Sequence, residues 1–153
     1  MKNMAFQKVG DYIVLVHNAM APTDEEWDEW MHLYAYESIL VVTDGGAPTA
    51  SQRKLLKTRV DQLRALPSYV PNKKEPKVAT VTSSSFVRGV LTALGWFYHD
   101  SYAAFPPDHV AHALAYLGVP PKYHLAMKTA VQTLRLQLKK AKALAQTKSA
   151  RDE

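Results

Sequence analysis

The chain contains no cysteine, and this absence removes several chemistries at once. Without a thiol there can be no disulfide, thiolate zinc site, iron–sulfur cluster or cysteine nucleophile. The chain also lacks any apolar run near the roughly 20 residues that span a bilayer, and polar residues interrupt residues 1–10 before a signal-peptide core could form. We therefore expect a soluble, cytoplasmic protein without membrane association.

Disorder over most of the chain is excluded by composition, because 47% of the 153 residues are hydrophobic and 10% are aromatic. Domains split only beyond roughly 250 residues, so one core is expected. The net charge of +5 hides a segmented pattern. Residues 1–51 carry two lysines against eight acids, whereas residues 52–78 and 121–153 each carry eight bases against two acids. This pattern bears on the choice of partner more than on the fold.

Nucleic acid is not the favoured partner of these basic stretches. Proteins that bind nucleic acid usually add aromatic stacking residues or a groove-reading motif. The basic C-terminal stretch has one tyrosine, Tyr123, and neither tryptophan nor phenylalanine.

Short aliphatic and β-branched segments alternate with helical patterns along the chain. Strands are predicted at residues 11–17, 38–43, 77–82 and 102–105, the last short and at an edge. Apolar residues recur at helical spacing over residues 23–36, 49–66, 86–94 and 110–117. Thr23 with Glu26, and Thr49 with Gln52, have the spacing of a capping box. This alternation predicts an α/β fold, a mostly parallel sheet covered by helices.

Residues 122–147 contain no glycine or proline and are predicted to form one long helix. Its apolar residues recur at alternating intervals of four and three, at Met127, Val131, Leu134, Leu138, Ala141 and Ala145. That seam fits a helix packed on its own domain, and it also fits a homodimer or partner helix. We predict a domain over residues 1–120, an amphipathic helix over 121–147 and a disordered tail over 148–153.

The order of the elements and three short segments carry a resemblance to a known family. The order is strand, acidic helix, strand, Asp-Gly-Gly turn, basic helix, strand, helix, short strand, helix. The segments are Ile39–Asp44, Lys77–Thr82 and Phe105–Leu117, the last with an aromatic-proline start and a Tyr-Leu-Gly end. Over roughly Val9–Gly118 the chain resembles the STAS domains, small α/β domains of bacterial anti-sigma-factor antagonists and of the ends of sulfate transporters. The resemblance implies a STAS-like fold and a regulatory role in protein–protein interaction.

The resemblance also indicates where phosphorylation would occur. Antagonists of the family carry a phosphorylatable serine after the central strand, commonly within Asp-Ser-Ser-Gly. Here the stretch Asp44–Ser51 lacks that motif, and only Thr49 and Ser51 offer hydroxyl groups. A helix N-terminus favours a phosphate, although Thr49 is already explained as a helix cap. The missing motif is typical of the looser STAS-like relatives, which lack the phosphosite.

The Asp-Gly-Gly turn follows a predicted parallel strand, and α/β folds place ligand sites at that end of the sheet. If the neighbouring strands are adjacent, the serines after residue 82 and the loop with His17 and Asn18 lie beside it. An aromatic cluster follows the third helix; it fits an interface, and it also fits a plug at the bottom of the domain or a seat for the C-terminal helix. The predicted partner or ligand edge comprises Asp44, Gly45, Gly46, Ser83, Ser84, Trp96 and Phe97.

Histidines make the best case for an enzyme. His109 and His112 are three residues apart on one predicted helix, residues 98–100 read Tyr-His-Asp, and Ser83–Ser85 could supply a nucleophile. A zinc site needs a third ligand, and the serines stand where a helix cap is required. No nucleophile elbow, phosphate-binding glycine motif, dinucleotide fingerprint or metalloprotease pair occurs. We therefore expect no catalysis, no metal and no cofactor.

Two functional hypotheses remain. The first is a non-catalytic STAS-like module that binds another protein through its second helix, the turn and the C-terminal helix. The alternative is a small-molecule or lipid-binding domain, because STAS-like folds resemble lipid-carrier domains in architecture. An exposed Thr49 favours the first hypothesis, and an apolar cavity beside Trp27, Trp30 and Trp96 favours the second.

Overall fold

A five-stranded sheet forms the centre of the protein in a computed structural model that describes residues 2–73, 75–85, 87–88 and 101–152. The strands lie side by side in chain order: β1 (Met4–Val9), β2 (Tyr12–His17), β3 (Ser38–Thr43), β4 (Val78–Thr82) and β5 (Tyr102–Phe105). β1 is antiparallel to β2, and every other pair is parallel. The predicted α/β class and mostly parallel sheet are confirmed, with β5 at an edge.

The antiparallel strand β1 has no counterpart among the predicted strands. Gln7 and Lys8 interrupt its apolar pattern, because β1 is an edge strand and its polar side chains are exposed there. The signal that could have revealed it is the two-residue loop Gly10-Asp11, a typical hairpin connection. Met4 on this strand is fully buried, so the start of the chain contributes to the core.

Helices cover both faces of the sheet. One face carries α1 (Asp24–Trp30), α2 (Leu33–Tyr36) and α3 (Ala50–Arg64), and the other carries α4 (Val110–Leu117) and α5 (His124–Arg151). Crossovers between parallel strands are right-handed, which places α1 to α3 on the same face. The residues of β2 alternate between the two cores, since Ile13 and Leu15 face one and Val14 and Val16 face the other.

Both predicted capping boxes are present. The Thr23 hydroxyl accepts a hydrogen bond from the Glu26 N–H at the start of α1, and the Thr49 hydroxyl accepts one from the Gln52 N–H at the start of α3. Gln52 is buried and also joins the two helices, because its backbone oxygen accepts a 2.7 Å hydrogen bond from the Trp27 indole. Local signals at both helix starts thus become part of the packing between α1 and α3.

The predicted single helix over residues 23–36 is wrong in one respect, because the chain breaks between α1 and α2. The N–H of Tyr34 donates to the oxygen of Met31, and the N–H of Ala35 donates to that of His32, so the chain tightens there to a spacing of three. Trp27, Met31, Tyr34 and Ala35 are all buried in the same core. There is no glycine or proline at the break, so we attribute it to the packing of these buried side chains.

Helix α5 packs on its own domain along the predicted seam. Met127, Val131, Leu134 and Leu138 are buried against the sheet, so this part of the seam is not available to a homodimer. The helix continues to Arg151, whereas a disordered tail was predicted after residue 147. Residues 148–151 include no glycine or proline that would end the helix. The positive charges of Lys148 and Arg151 in the last turn stabilise the helix, because they lie at the negative end of its dipole.

Several predictions concern residues outside the described ranges. These are most of the predicted helix over 86–94, the aromatic residues Trp96 and Phe97, and the Tyr-His-Asp stretch at 98–100. Among the helices that the structure describes, none is both long enough and apolar enough to cross a bilayer.

Candidate functional site

The carboxyl ends of β2, β3 and β4 meet at one edge of the sheet. The strand register places His17 beside Thr43, and Thr43 beside Thr82. The side-chain oxygens of Thr43 and Thr82 are 3.5 Å apart. The Asp44 turn, the loop after β2 and the serines after β4 are therefore neighbours, because the strand adjacency on which the sequence expectation depended is present. Their role in binding stays a prediction.

Hydrogen bonds hold the Asp44-Gly45-Gly46 turn in place. The Gly45 N–H donates to the Thr43 hydroxyl at 3.3 Å, and the Gly46 N–H donates to the backbone oxygen of Asn18 at 2.9 Å. Gly45 has a φ of 114°, a conformation open mainly to glycine. Gly46 is buried, whereas Asp44 and Gly45 are exposed. Both glycines thus have a structural explanation, and Asp44 is the polar side chain that the turn presents.

Arg135 of helix α5 binds the carboxylate of Asp44. Its Nη2 lies 2.7 Å from Oδ1, and its Nε lies 3.1 Å from Oδ2, which makes the pair bidentate. Arg135 was not predicted at this site, because no sequence pattern links two residues 91 positions apart. The pair brings the C-terminal helix to the edge of the sheet and balances the charge of Asp44.

The serine turn after β4 has the capping role that the sequence predicted. The Ser84 hydroxyl accepts a 3.2 Å hydrogen bond from the backbone N–H of Val87, and the Ser84 N–H donates to the Thr82 hydroxyl. Ser83 beside it is exposed. Ser84 is therefore explained as a helix cap rather than as a nucleophile.

The hydroxyl-bearing residues Thr49 and Ser51 at the start of α3 are both exposed. The Thr49 hydroxyl accepts the Gln52 N–H at 3.2 Å, which is its capping role. Ser51 lies in the first turn of the same helix. Both are open to solvent as a regulatory site requires, and their phosphorylation remains a prediction of the family resemblance.

Behind this edge lies a small apolar cavity of about 50 Å³. The Trp27 and Tyr34 rings line it, and the polar side chains of His17, Thr43 and Thr80 also face it. A water molecule needs roughly 10–15 Å³ of such volume, so the cavity has room for a few waters. Ligand pockets are usually about 300–1,000 Å³, and a lipid does not fit here.

His17 is buried at this cavity, and its Nδ1 atom has no hydrogen-bond partner in the described parts of the chain. Burial lowers the pKa of His17 from 6.5 to about 4, and the nearby charge of Glu26 opposes the shift only in part. The imidazole is therefore neutral near neutral pH.

We expect the buried His17 to make the protein less stable in acid. Below pH ~6.5 the unfolded chain binds a proton at this residue, whereas the folded chain does so only near pH ~4, so stability is lost as the pH falls through that range. The loss attributable to His17 between pH ~7 and pH ~5 is about 2 kcal/mol. Urea denaturation of the protein and of His17→Gln at both pH values measures it. Equal pH dependence in the two proteins would contradict the expectation.

The two histidines considered for metal binding lie on the surface. The rings of His109 and His112 are 4.9 Å apart, and both side chains are exposed. His109 lies 4.0 Å from the carboxylate of Asp108. Within the described ranges, no three histidine, aspartate or glutamate side chains group closely enough to hold a metal ion. The described part of the fold therefore brings no third metal ligand to His109 and His112.

Helix α3 presents a basic surface with an exposed leucine next to this edge. Gln52, Leu56 and Val60 are buried, which directs the opposite face of the helix to solvent. At the margin of the buried face, Leu55 is 54% exposed and lies one turn from the exposed Arg59. We call the residues Lys54, Leu55 and Arg59 the α3 surface.

The two cations of the α3 surface make no polar contacts within the described residues. Lys54 and Arg59 form no hydrogen bond or ion pair within the described chain, whereas Lys57 pairs with Asp61 at 2.9 Å. Two cations thus flank a solvent-exposed leucine.

In comparisons with protein-family models, curated proteins and solved structures, no match to this chain was found.

Proposed function

We propose that the protein is a non-catalytic, STAS-like regulatory module that binds a partner protein through the α3 surface. The observation that carries the proposal is the 54% exposure of Leu55 between cationic side chains. The buried face of α3 already packs on the sheet, so Leu55 contributes little to the core. An apolar centre within a polar rim is the usual anatomy of a protein interface.

The charges of the α3 surface indicate what kind of partner it fits. Lys54 and Arg59 are unpaired within the described residues, and the partner is therefore expected to present acidic side chains around an apolar patch. Opposite charge also steers the approach of such a partner and makes binding sensitive to salt.

The hydroxyls of Thr49 and Ser51 provide a means of regulation under this proposal. Ser51 lies one turn before Leu55 on α3, and Thr49 caps the same helix. A phosphate on either would add a charge of about −1.5 to −2 next to the α3 surface. It would repel an acidic partner, so phosphorylation is expected to weaken binding. The intact mass of the protein isolated from its host reports whether either hydroxyl is modified.

Site-specific crosslinking tests the proposed surface. A photo-crosslinking amino acid replaces Leu55 in one variant and Leu125, which is 76% exposed on α5, in a control. The expected result is one salt-sensitive adduct with an acidic protein at position 55 and none at position 125. Equal adducts at both positions, or no adduct at position 55, would contradict the proposal.

Charge-reversal variants test the electrostatic part. The double variant Lys54→Glu, Arg59→Glu is expected to abolish the adduct at position 55. Its matched control is Lys139→Glu, Lys140→Glu, which makes the same charge change at exposed positions of α5 and should leave the adduct intact. If both double variants lose the adduct equally, the net charge rather than the α3 surface controls binding.

The alternative of a small-molecule or lipid-binding domain receives less support at its predicted place. A cavity does lie beside Trp27, but its volume of about 50 Å³ is well below that of ligand pockets. Trp30 lies apart from it and contacts Phe6, with ring centroids 3.9 Å apart. The exposed α3 surface therefore favours protein binding over this cavity.

A further inference from the structure

A groove opens on the face of the sheet opposite α3, between helices α4 and α5. Helix α5 packs on β1 and β2, and helix α4 packs on β3, β4 and β5, so the two helices separate above β3. The groove has a volume of about 310 Å³. Its floor is apolar and consists of Leu40 and Val42 of β3 and Val81 of β4, with Val110 and Val131 on the facing helices.

The rim of the groove on α5 is polar and positive. It is formed by Lys128, Gln132 and Arg135, which follow one another at intervals of four and three and therefore share one face of the helix. The guanidinium of Arg135 already donates hydrogen bonds to the carboxylate of Asp44 through Nε and Nη2. Lys128 is exposed and forms no hydrogen bond or ion pair within the described chain, and no described lining residue is acidic.

We propose that this groove binds a small amphipathic carboxylate, such as a medium-chain or aryl-substituted acid. The carboxylate pairs with Lys128 and accepts a hydrogen bond from the Gln132 amide. The apolar part lies on Val42, Val81 and Val131. The unpaired ammonium of Lys128 beside an apolar floor is complementary to a ligand that has one negative charge and an apolar chain or ring. A neutral apolar ligand would leave Lys128 without a partner.

The size of the groove limits the ligand. Its volume of about 310 Å³ is at the lower end of the usual range of about 300–1,000 Å³ for ligand pockets. A single short chain or ring therefore fits, and a two-chain lipid does not. The groove and the α3 surface lie on opposite faces of the sheet, so this inference does not depend on the proposed protein partner.

Methyl NMR of the full chain tests the inference with octanoate as the probe and octanol as its uncharged match. Saturable shifts are expected for the methyl groups of Val42, Val81, Val110 and Val131. The methyl groups of Ile13 and Ile39, which face the other core, should stay unchanged. Octanoate is expected to bind about tenfold more tightly than octanol, because its carboxylate gains a charge-assisted bond. Unsaturable shifts, or shifts on both faces, would overturn the inference.

Variants separate the charge from the groove. Lys128→Met should weaken octanoate binding about tenfold and leave octanol binding unchanged, whereas Lys139→Met, a control on the same helix outside the groove, should change neither. Val110→Phe fills the groove and should reduce the binding of both probes, with the unchanged methyl spectrum of Ile13 and Ile39 showing that the fold persists. An equal effect of Lys128→Met on both probes, or undiminished binding to Val110→Phe, would overturn the assignment.

Discussion

Replacing Gly46 by alanine is expected to lower the free energy of unfolding by about 3 kcal/mol. A Cβ at this position would lie 2.1 Å from the backbone oxygen of Met20 and 2.5 Å from that of Asn18. Backbone atoms cannot swing away as the end of a flexible side chain can, so the loop after β2 must move. That movement breaks the 2.9 Å hydrogen bond from the Gly46 N–H to Asn18. Urea denaturation, monitored by tryptophan fluorescence, measures the loss.

Gly118→Ala is the matched control for Gly46→Ala. Gly118 has a φ of 71°, and nothing lies within 4 Å of a Cβ built there. Alanine therefore meets only the intrinsic cost of the left-handed conformation, about 1–2 kcal/mol. If Gly46→Ala is no more destabilising than Gly118→Ala, the close approach of the turn to the loop after β2 is incorrect. The described position of Asp44 in the same turn would then be incorrect as well.

Replacing Leu134 by alanine is expected to lower the free energy of unfolding by about 2–5 kcal/mol. Leu134 is 1% exposed and packs in the core that α5 forms with β1, β2 and α4. The change removes buried apolar area and leaves a cavity that the neighbouring side chains can fill only in part. A chemical denaturation curve at several protein concentrations is the appropriate measurement, because a loss within the monomer does not depend on concentration.

Leu136→Ala provides the comparison for Leu134→Ala on the same helix. Leu136 is 57% exposed, so its truncation should change stability by no more than about 0.5 kcal/mol. The pair distinguishes the two arrangements that the heptad spacing allowed. A small effect at Leu134, or a midpoint that rises with protein concentration, would indicate that the seam is used between chains instead of within one.

The parallel part of the sheet and the helix starts could be predicted because their signals are local. Buried parallel strands such as Ser38–Thr43 read as continuous apolar runs, and a capping box such as Thr49 with Gln52 spans only three residues. The strand order was left open by the sequence, although short right-handed crossovers leave few arrangements. The sequence therefore placed the loop with His17 beside the Asp44 turn only on the condition that their strands are adjacent.

Long-range contacts left no comparable signal. The Asp44–Arg135 pair, the groove between α4 and α5, and the unpartnered Lys128 on its rim each depend on how two distant elements meet. Edge strand β1 was missed because exposure on the outer side of the sheet permits polar residues in its sequence. The break between α1 and α2 was missed because packing of Trp27 and Tyr34, rather than a glycine or proline, produces it.

Local sequence patterns were enough to predict the α/β class, the mostly parallel sheet, the capped starts of α1 and α3 and the segregation of charge along the chain. Tertiary packing was needed to show that the seam of α5 faces its own domain, that Leu55 stays outside the core, and that a groove lies between α4 and α5. The physical reason is that periodicity identifies which face of an element is apolar, whereas the packing of other elements decides what covers that face.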